Sequence, residues 1–149
     1  MSQPQHSVSV AAVIVDDEGR VLVTQRRDNG YWQPPGGVLE LDETIEEGLR
    51  REVYEETGLT IEPERLTGVY KHVKRGIVAL VFRARIVEGT PGPTDEVAAV
   101  DWWTAEAVGE QMAETFSLRI LDALGDDSPA VRAHDGVHWL QTAAQSRHF

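Results

Sequence analysis

The chain has 149 residues, 41% of them hydrophobic and 26% charged, which suits one soluble globular domain spanning 1–149 and excludes a disordered chain. It contains no cysteine, which excludes disulfides, thiolate catalysis, zinc–thiolate centres and iron–sulfur clusters. Lys and Arg number 14 against 25 for Asp and Glu, a formal net charge of -11 that argues against duplex DNA and anionic membrane as partners.

The first segment, Met1 to His6, has neither the cationic start nor the apolar core of a signal peptide, so a cytoplasmic location is expected. Val8 to Val15 is apolar and β-branched and is expected to be a strand buried on both faces. Asp16 to Gly19 is a turn. Arg20 to Arg26 alternates polar and apolar residues, so the two runs suggest a hairpin. Asp28 to Glu40, with Pro34-Pro35-Gly36-Gly37 inside it, is expected to be an ordered loop. A helix follows. Thr44 is its N-cap, Glu47 completes a capping box, and Gly58 closes it at the C′ position. Ile45, Leu49 and Val53 form its apolar stripe.

Leu66 to Val73 and Ile77 to Val87 are expected strands, followed by a loop over Gly89 to Pro93. Val97 to Trp103 is a further strand, and a helix starts after Thr104. Met112 to Leu124 suits another helix. Ala130 to His134 and Val137 to Leu140 flank Asp135-Gly136, a tight-hairpin signal. No apolar run approaches the ~20 residues of a bilayer span. Strands and helices mix without strict alternation, so the fold class is mixed α+β (α/β). The core is placed at about 8–111, with a C-terminal extension of helix and hairpin at about 112–149.

The acidic excess is concentrated. Between Glu40 and Glu56 stand Glu40, Asp42, Glu43, Glu46, Glu47, Glu52, Glu55 and Glu56, against Arg50 and Arg51. Glu55 and Glu56 fall in the last helical turn, where the macrodipole disfavours negative charge. At 100° per residue Glu52, Glu55 and Glu56 share about a 100° arc at the edge of the apolar stripe. Carboxylates this close raise each other's pKa, and a hard divalent cation such as Mg²⁺ relieves the repulsion. An ordinary solvated acidic helix is the competing reading, although such helices usually interleave lysine and this one has none. The adjacent glycines allow backbone to approach a ligand closely. No EF-hand loop, Walker A loop or zinc-protease motif is present.

Gly37, five residues, Glu43, seven residues, then Arg51-Glu52-Val53-Tyr54-Glu55-Glu56-Thr57-Gly58-Leu59 resembles the Nudix box in every fixed position. The wider resemblance runs from about Val8 to Trp103. It implies a Nudix-like α-β-α sandwich with a mixed sheet. It also implies hydrolysis of nucleoside diphosphates linked to another moiety, using Mg²⁺ or Mn²⁺. By the same resemblance Glu52, Glu55 and Glu56 are the metal ligands, and a carbonyl of Gly36 or Gly37 adds a further one. Arg51 and Glu43 orient the carboxylates. Glu52 is the base in some members and a later-loop glutamate in others, for which Glu96 is the candidate here.

Substrate contacts are expected from Trp32 by stacking and from Arg26 and Arg27 by phosphate pairing; packing and plain surface charge are the competing readings. Lys71, His72, Lys74 and Arg75 form a basic cluster that either steers an anion or decorates a turn. His134 and His138 are assigned no chemistry. The markers of the ADP-ribose and diadenosine polyphosphate subgroups are absent, which tilts the expectation toward a nucleoside triphosphate or a broad specificity. ADP-ribose or a nucleotide sugar is the alternative, and a non-catalytic nucleotide-binding module is the alternative of another class. A homodimer through the C-terminal tail is left open.

Overall fold

The computed structural model describes residues 3–126 and 128–140. In chain order the elements are β1 (Ser7–Ile14), β2 (Val21–Arg26), β3 (Trp32–Gln33), β4 (Gly36–Val38), α1 (Ile45–Thr57), β5 (Thr60–His72), β6 (Ile77–Glu88), β7 (Val97–Trp103), α2 (Ala105–Gln111), α3 (Glu114–Ala123), β8 (Ala130–His134) and β9 (Trp139–Leu140). One sheet has the order β4-β1-β6-β5-β8-β9, the other β3-β2-β7. The larger sheet is mixed: β1 runs parallel to β6 and antiparallel to β4, and β5 runs parallel to β8 and antiparallel to β6.

Alternation along β1 sends its side chains to two cores. Val10, Ala12 and Ile14 join Leu49 and Val53 of α1, with Leu59 and Ile61. Ala11 and Val13 join Tyr70, Ala79, Val81, Val108 of α2 and Ile120 of α3. The sheet is thus covered on one face by α1 and on the other by α2 and α3. Complete burial of each large aliphatic side chain contributes about 1.5–3 kcal/mol. Among the described residues no helix is long and apolar enough to cross a membrane.

Several local expectations differ from the structure. β1 and β2 do not form a hairpin ladder; they belong to different sheets and share only the bridge Val15↔Val21. Both edges of β1 are taken by β4 and β6, and those of β2 by β3 and β7, so neither has a side free for the other. The Asp28 to Glu40 segment contains β3 and β4. β5 starts at Thr60, six residues before Leu66, and tolerates Pro63 through a register shift between Pro63 and Arg65. Met112 is the C-cap of α2, and α3 begins at Glu114. Ile45 is 42% exposed, so the buried stripe of α1 starts at Leu49. The terminal hairpin forms as β8 and β9 and extends the larger sheet beside β5; residue 127 and residues 141–149 of the extension lie outside the described residues.

Candidate active site

Two local devices position α1. At its start the Glu47 N–H donates to the Thr44 hydroxyl (3.1 Å) and the Thr44 N–H donates to Glu47 Oε1 (2.9 Å), a complete capping box. At its end Gly58 takes φ 81° and its N–H donates to the Tyr54 carbonyl (2.8 Å). The loop before β7 is tied to the same end. The Gly92 N–H donates to Thr57 O (3.1 Å) and the Thr94 hydroxyl to Glu56 O (3.2 Å), satisfying carbonyls the helix leaves open. That tie carries Glu96 toward α1.

On the other side β4 lies against β1, with Gly37 opposite Val10. A Cβ at Gly36 would stand 2.1 Å from the Val10 carbonyl oxygen, so only glycine permits this approach. A Cβ at Gly37 would stand 2.0 Å from Glu52 Oε2, so the missing side chain is the space the Glu52 carboxylate occupies.

Arg51 gathers three of the acids. Its Nε–H donates to Glu43 Oε1 (2.8 Å) and Nη2 to Glu43 Oε2 (2.7 Å), a bidentate pair. Nη1 reaches Glu52 Oε1 (2.9 Å) and Glu55 Oε2 (3.2 Å). The Arg51 guanidinium, helped by the Glu40 N–H, holds the Glu43 carboxyl down at about 2. The bond to Glu43 in turn pushes Arg51 above its ordinary value.

Glu56 has no such partner. It is buried, and its Oε1 accepts the Gly36 N–H at 2.8 Å. Burial pushes its carboxyl up to about 7, despite that hydrogen bond, and the charges of Glu52 and Glu96 add to the rise. Burial also raises Glu52, with Glu55 and Glu96 acting in the same direction and Arg51 opposing them. Four carboxylates therefore act on one another at the junction of α1, β4 and the loop before β7.

As the side chains stand, no three acidic or histidine groups among the described residues converge on one point suited to a metal ion. The reason is visible in the contacts: Arg51 draws Glu52 and Glu55 to itself, while Glu56 is held by Gly36. The donor chemistry nonetheless suits a hard cation. The donors are all oxygen, they carry excess negative charge, and Glu56 is a buried carboxyl whose ionised form lacks an adjacent cationic partner.

The remaining expected residues divide. Arg26 makes a bidentate pair with Asp28 (2.8 and 2.6 Å), which raises its own pKa, and its charge also acts on Glu56. Arg27 donates to the Thr94 carbonyl (3.0 Å) and its N–H to the Glu96 carbonyl (3.1 Å), so it braces the Glu96 loop. Trp32 packs against Trp103, ring centroids 5.0 Å apart.

A cavity of about 830 Å³ lies on the α3 side of the larger sheet, reaching Gly36 and Gly37 of β4 and His134 of β8. Arg26 and Tyr31 line it; Trp32 does not. Glu52 and Glu56 do not line it either, but they touch Gly37 and Gly36, which do. Arg119 and Phe116 of α3 also line it, and no motif or spacing marks either of them in the sequence.

The family model for the NUDIX domain matches residues 5–124. A "MutT-like protein" of Streptomyces ambofaciens is 54% identical over 147 residues, covering 94% of this chain and 96% of that protein. The human "8-oxo-dGDP phosphatase NUDT18" is 35% identical over 141 residues, covering 93% of this chain and 39% of the human protein. Among solved structures, the MutT protein of Methanosarcina mazei Go1 superposes with a TM-score of 0.69 at 27% identity, covering 81% of this chain and 94% of that one. The box residues, the two-faced mixed sheet and these matches agree, and the chain belongs to the Nudix family of hydrolases, which act on phosphoric anhydride bonds.

Proposed function

We propose that this chain cleaves the diphosphate linkage of a nucleoside triphosphate or another nucleoside diphosphate derivative by attack of water. In this reading Mg²⁺ or Mn²⁺ is held by Glu52, Glu55, Glu56 and a backbone carbonyl of Gly36 or Gly37. The observation that carries it is Glu56, a carboxyl buried against a glycine strand and surrounded by the fields of Glu52 and Glu96. Such a group is costly to keep unless its ionised form gains a cation. A bound divalent ion supplies neutralisation of the phosphate charge and a more acidic water.

The chain's own residues supply the rest. Arg51, clamped by Glu43, positions Glu52 and Glu55. Glu52 or Glu96 accepts the proton of the attacking water, a step that typically contributes ~10²–10⁴-fold. The nucleoside part lies in the cavity beyond Gly36 and Gly37, with Arg26 at the phosphate end. The name of the human relative, a nucleoside diphosphate phosphatase, supports this substrate class.

The test is a turnover screen over nucleoside di- and triphosphates, ADP-ribose, nucleotide sugars and dinucleotides, with Mg²⁺, Mn²⁺ or chelator. Metal-dependent release of phosphate or pyrophosphate from the nucleoside phosphates is expected, with Glu52→Gln and Glu56→Gln each losing at least about 100-fold. Preferred turnover of ADP-ribose or a nucleotide sugar would reassign the substrate. Undiminished turnover in both variants, or none by the wild type, would overturn the proposal.

A further inference from the structure

Two arginines beside the carboxylates are gripped in the same way. Glu43 holds Arg51 by its Nε and Nη2 edge, which leaves Nη1 to serve Glu52 and Glu55. Asp28 holds Arg26 by the same edge: Nε–H donates to Oδ1 (2.8 Å) and Nη2 to Oδ2 (2.6 Å). Nη1 of Arg26 makes no hydrogen bond among the described residues. The Arg26 side chain is 44% exposed, so this donor is open to a ligand. Arg26 and Asp28 both line the cavity, and the Arg26 guanidinium feels the charges of Glu56 and Glu96. It thus borders both the cavity and the carboxylates.

The turn that carries the pair is pinned. The Arg26 N–H donates to Tyr31 O (3.0 Å) and the Gly30 N–H to Arg26 O (3.0 Å). The Tyr31 N–H donates to Asn29 Oδ1 (2.9 Å) and Gln25 Nε2 to Gly30 O (3.2 Å). Gly30 takes φ 74°, the left-handed conformation that closes this turn between β2 and β3. Arg27 ties it to the loop before β7 through the Thr94 and Glu96 carbonyls. The β2–β7 register shifts between Gln25 and Arg26, an irregularity of the kind that re-aims a side chain beside a site. Asp28 therefore meets Arg26 from a fixed platform.

An acid at this place needs a reason. An exposed ion pair contributes little to stability. A carboxylate near bound phosphates also repels them on its own account. Of the two acids that line the cavity, Glu114 makes no ion pair among the described residues, whereas both oxygens of Asp28 are spent on Arg26. What the pair supplies is direction. A free arginine samples many rotamers, and a planar fork held along one edge presents the other edge in one orientation.

We propose that Asp28 is a positioning residue of this hydrolase: by gripping the Nε and Nη2 edge of Arg26 it fixes Nη1 as the donor offered to a phosphate of the bound nucleotide. The proposal rests on the function proposed above, which sets Arg26 at the phosphate end. It makes Arg26 and Asp28 one unit, and the sign of the effect separates it from simple electrostatics. Removing a repelling charge tightens phosphate binding; removing a positioning one weakens it.

The test uses the full chain as wild type, Asp28→Ala, Asp28→Glu, Arg26→Met and the double variant Arg26→Met, Asp28→Ala, each first shown to keep the native circular dichroism spectrum and melting temperature. Binding of imidodiphosphate, a non-hydrolysable diphosphate, is measured by titration calorimetry with Mg²⁺. Asp28→Ala should weaken binding about 5- to 20-fold, and the same change in the Arg26→Met background should weaken it by less than about 2-fold. Asp28→Glu, which keeps the carboxylate, should retain more affinity than Asp28→Ala. In steady-state turnover of a nucleoside triphosphate, KM of Asp28→Ala should rise in parallel with kcat within about 3-fold of wild type, as for a contact made equally in ground and transition states. Unchanged or tighter binding in Asp28→Ala, an equal loss in the Arg26→Met background, or no advantage of Asp28→Glu over Asp28→Ala would each overturn the proposal while leaving the hydrolase assignment intact. Coupling of the two residues in binding, with no turnover of any nucleotide by wild type, would sink the hydrolase assignment and leave the positioning role standing.

Discussion

Glu56 gives a thermodynamic prediction that does not depend on knowing the substrate. Its folded pKa of about 7 lies above its ordinary value of 4.5. Between those values the folded protein binds more protons than the unfolded chain, so this group makes stability fall as pH rises from about 4.5 to 7. The shift corresponds to about 3 kcal/mol. His134 works in the opposite direction. Its folded pKa of about 4 lies below the ordinary 6.5, so its contribution to stability grows as pH rises through that window. The two slopes oppose each other, so a wild-type pH scan alone does not isolate Glu56. The informative quantity is the difference between wild type and Glu56→Gln in chelator. Glutamine keeps an oxygen for the Gly36 N–H and does not titrate. The two melting temperatures should agree near pH 4.5 and diverge above it, with the variant higher by about 6–12 °C at pH 8, taking ~2–4 °C per kcal/mol for a chain of this size. Differential scanning calorimetry at four pH values checks this. A difference that stays constant from pH 4.5 to 8 would refute the account of Glu56 as a carboxyl strained by burial.

Three further outcomes follow from the contacts. Gly37→Ala should fold but lose turnover at least about 10-fold, because its Cβ meets only the mobile end of Glu52; Gly36→Ala should instead lower stability by about 2 kcal/mol or more, because its Cβ meets the β1 backbone. Kinetics and melting on the pair separate these effects. Glu43→Gln removes one charge from the clamp on Arg51, and the Mg²⁺ concentration for half-maximal activity should rise about 10-fold or more. Glu96→Gln should lower kcat by about 10²-fold or more with little change in metal affinity if Glu96 accepts the proton, and leave kcat within a few-fold if Glu52 does.

Much of the site was legible because its signals are local. The cap at Thr44, the stop at Gly58 and the spacing of Glu52, Glu55 and Glu56 each depend on residues within two helical turns. The mixed α+β class followed from the order of periodic segments. Strand partnership was not legible in the same way. The alternation in β1 and β2 specifies which side chains are buried but not which neighbour takes each edge, and the hairpin expectation failed there. The helical arc places three carboxylates together by angle, but neither the collection of two of them by Arg51 nor the burial of Glu56 alone follows from helical spacing. Arg119 was hidden for a related reason. Its spacing from Asp122 on α3 suggests an ordinary helical ion pair, and only the packing of β8 beside β5 brings Arg132 to take that acid.

The central claim is that the carboxylates at the end of α1 hold a divalent cation. Electron paramagnetic resonance of Mn²⁺ tests it without substrate, since free aqueous ion gives a strong signal that binding suppresses. Titrating wild type into micromolar Mn²⁺ should reduce the free signal to a saturating, stoichiometric end point, and added Mg²⁺ should restore it. The double variant Glu52→Gln, Glu56→Gln should leave the signal undiminished over the same range. Equal suppression by wild type and double variant, or none by either at millimolar protein, would contradict the account.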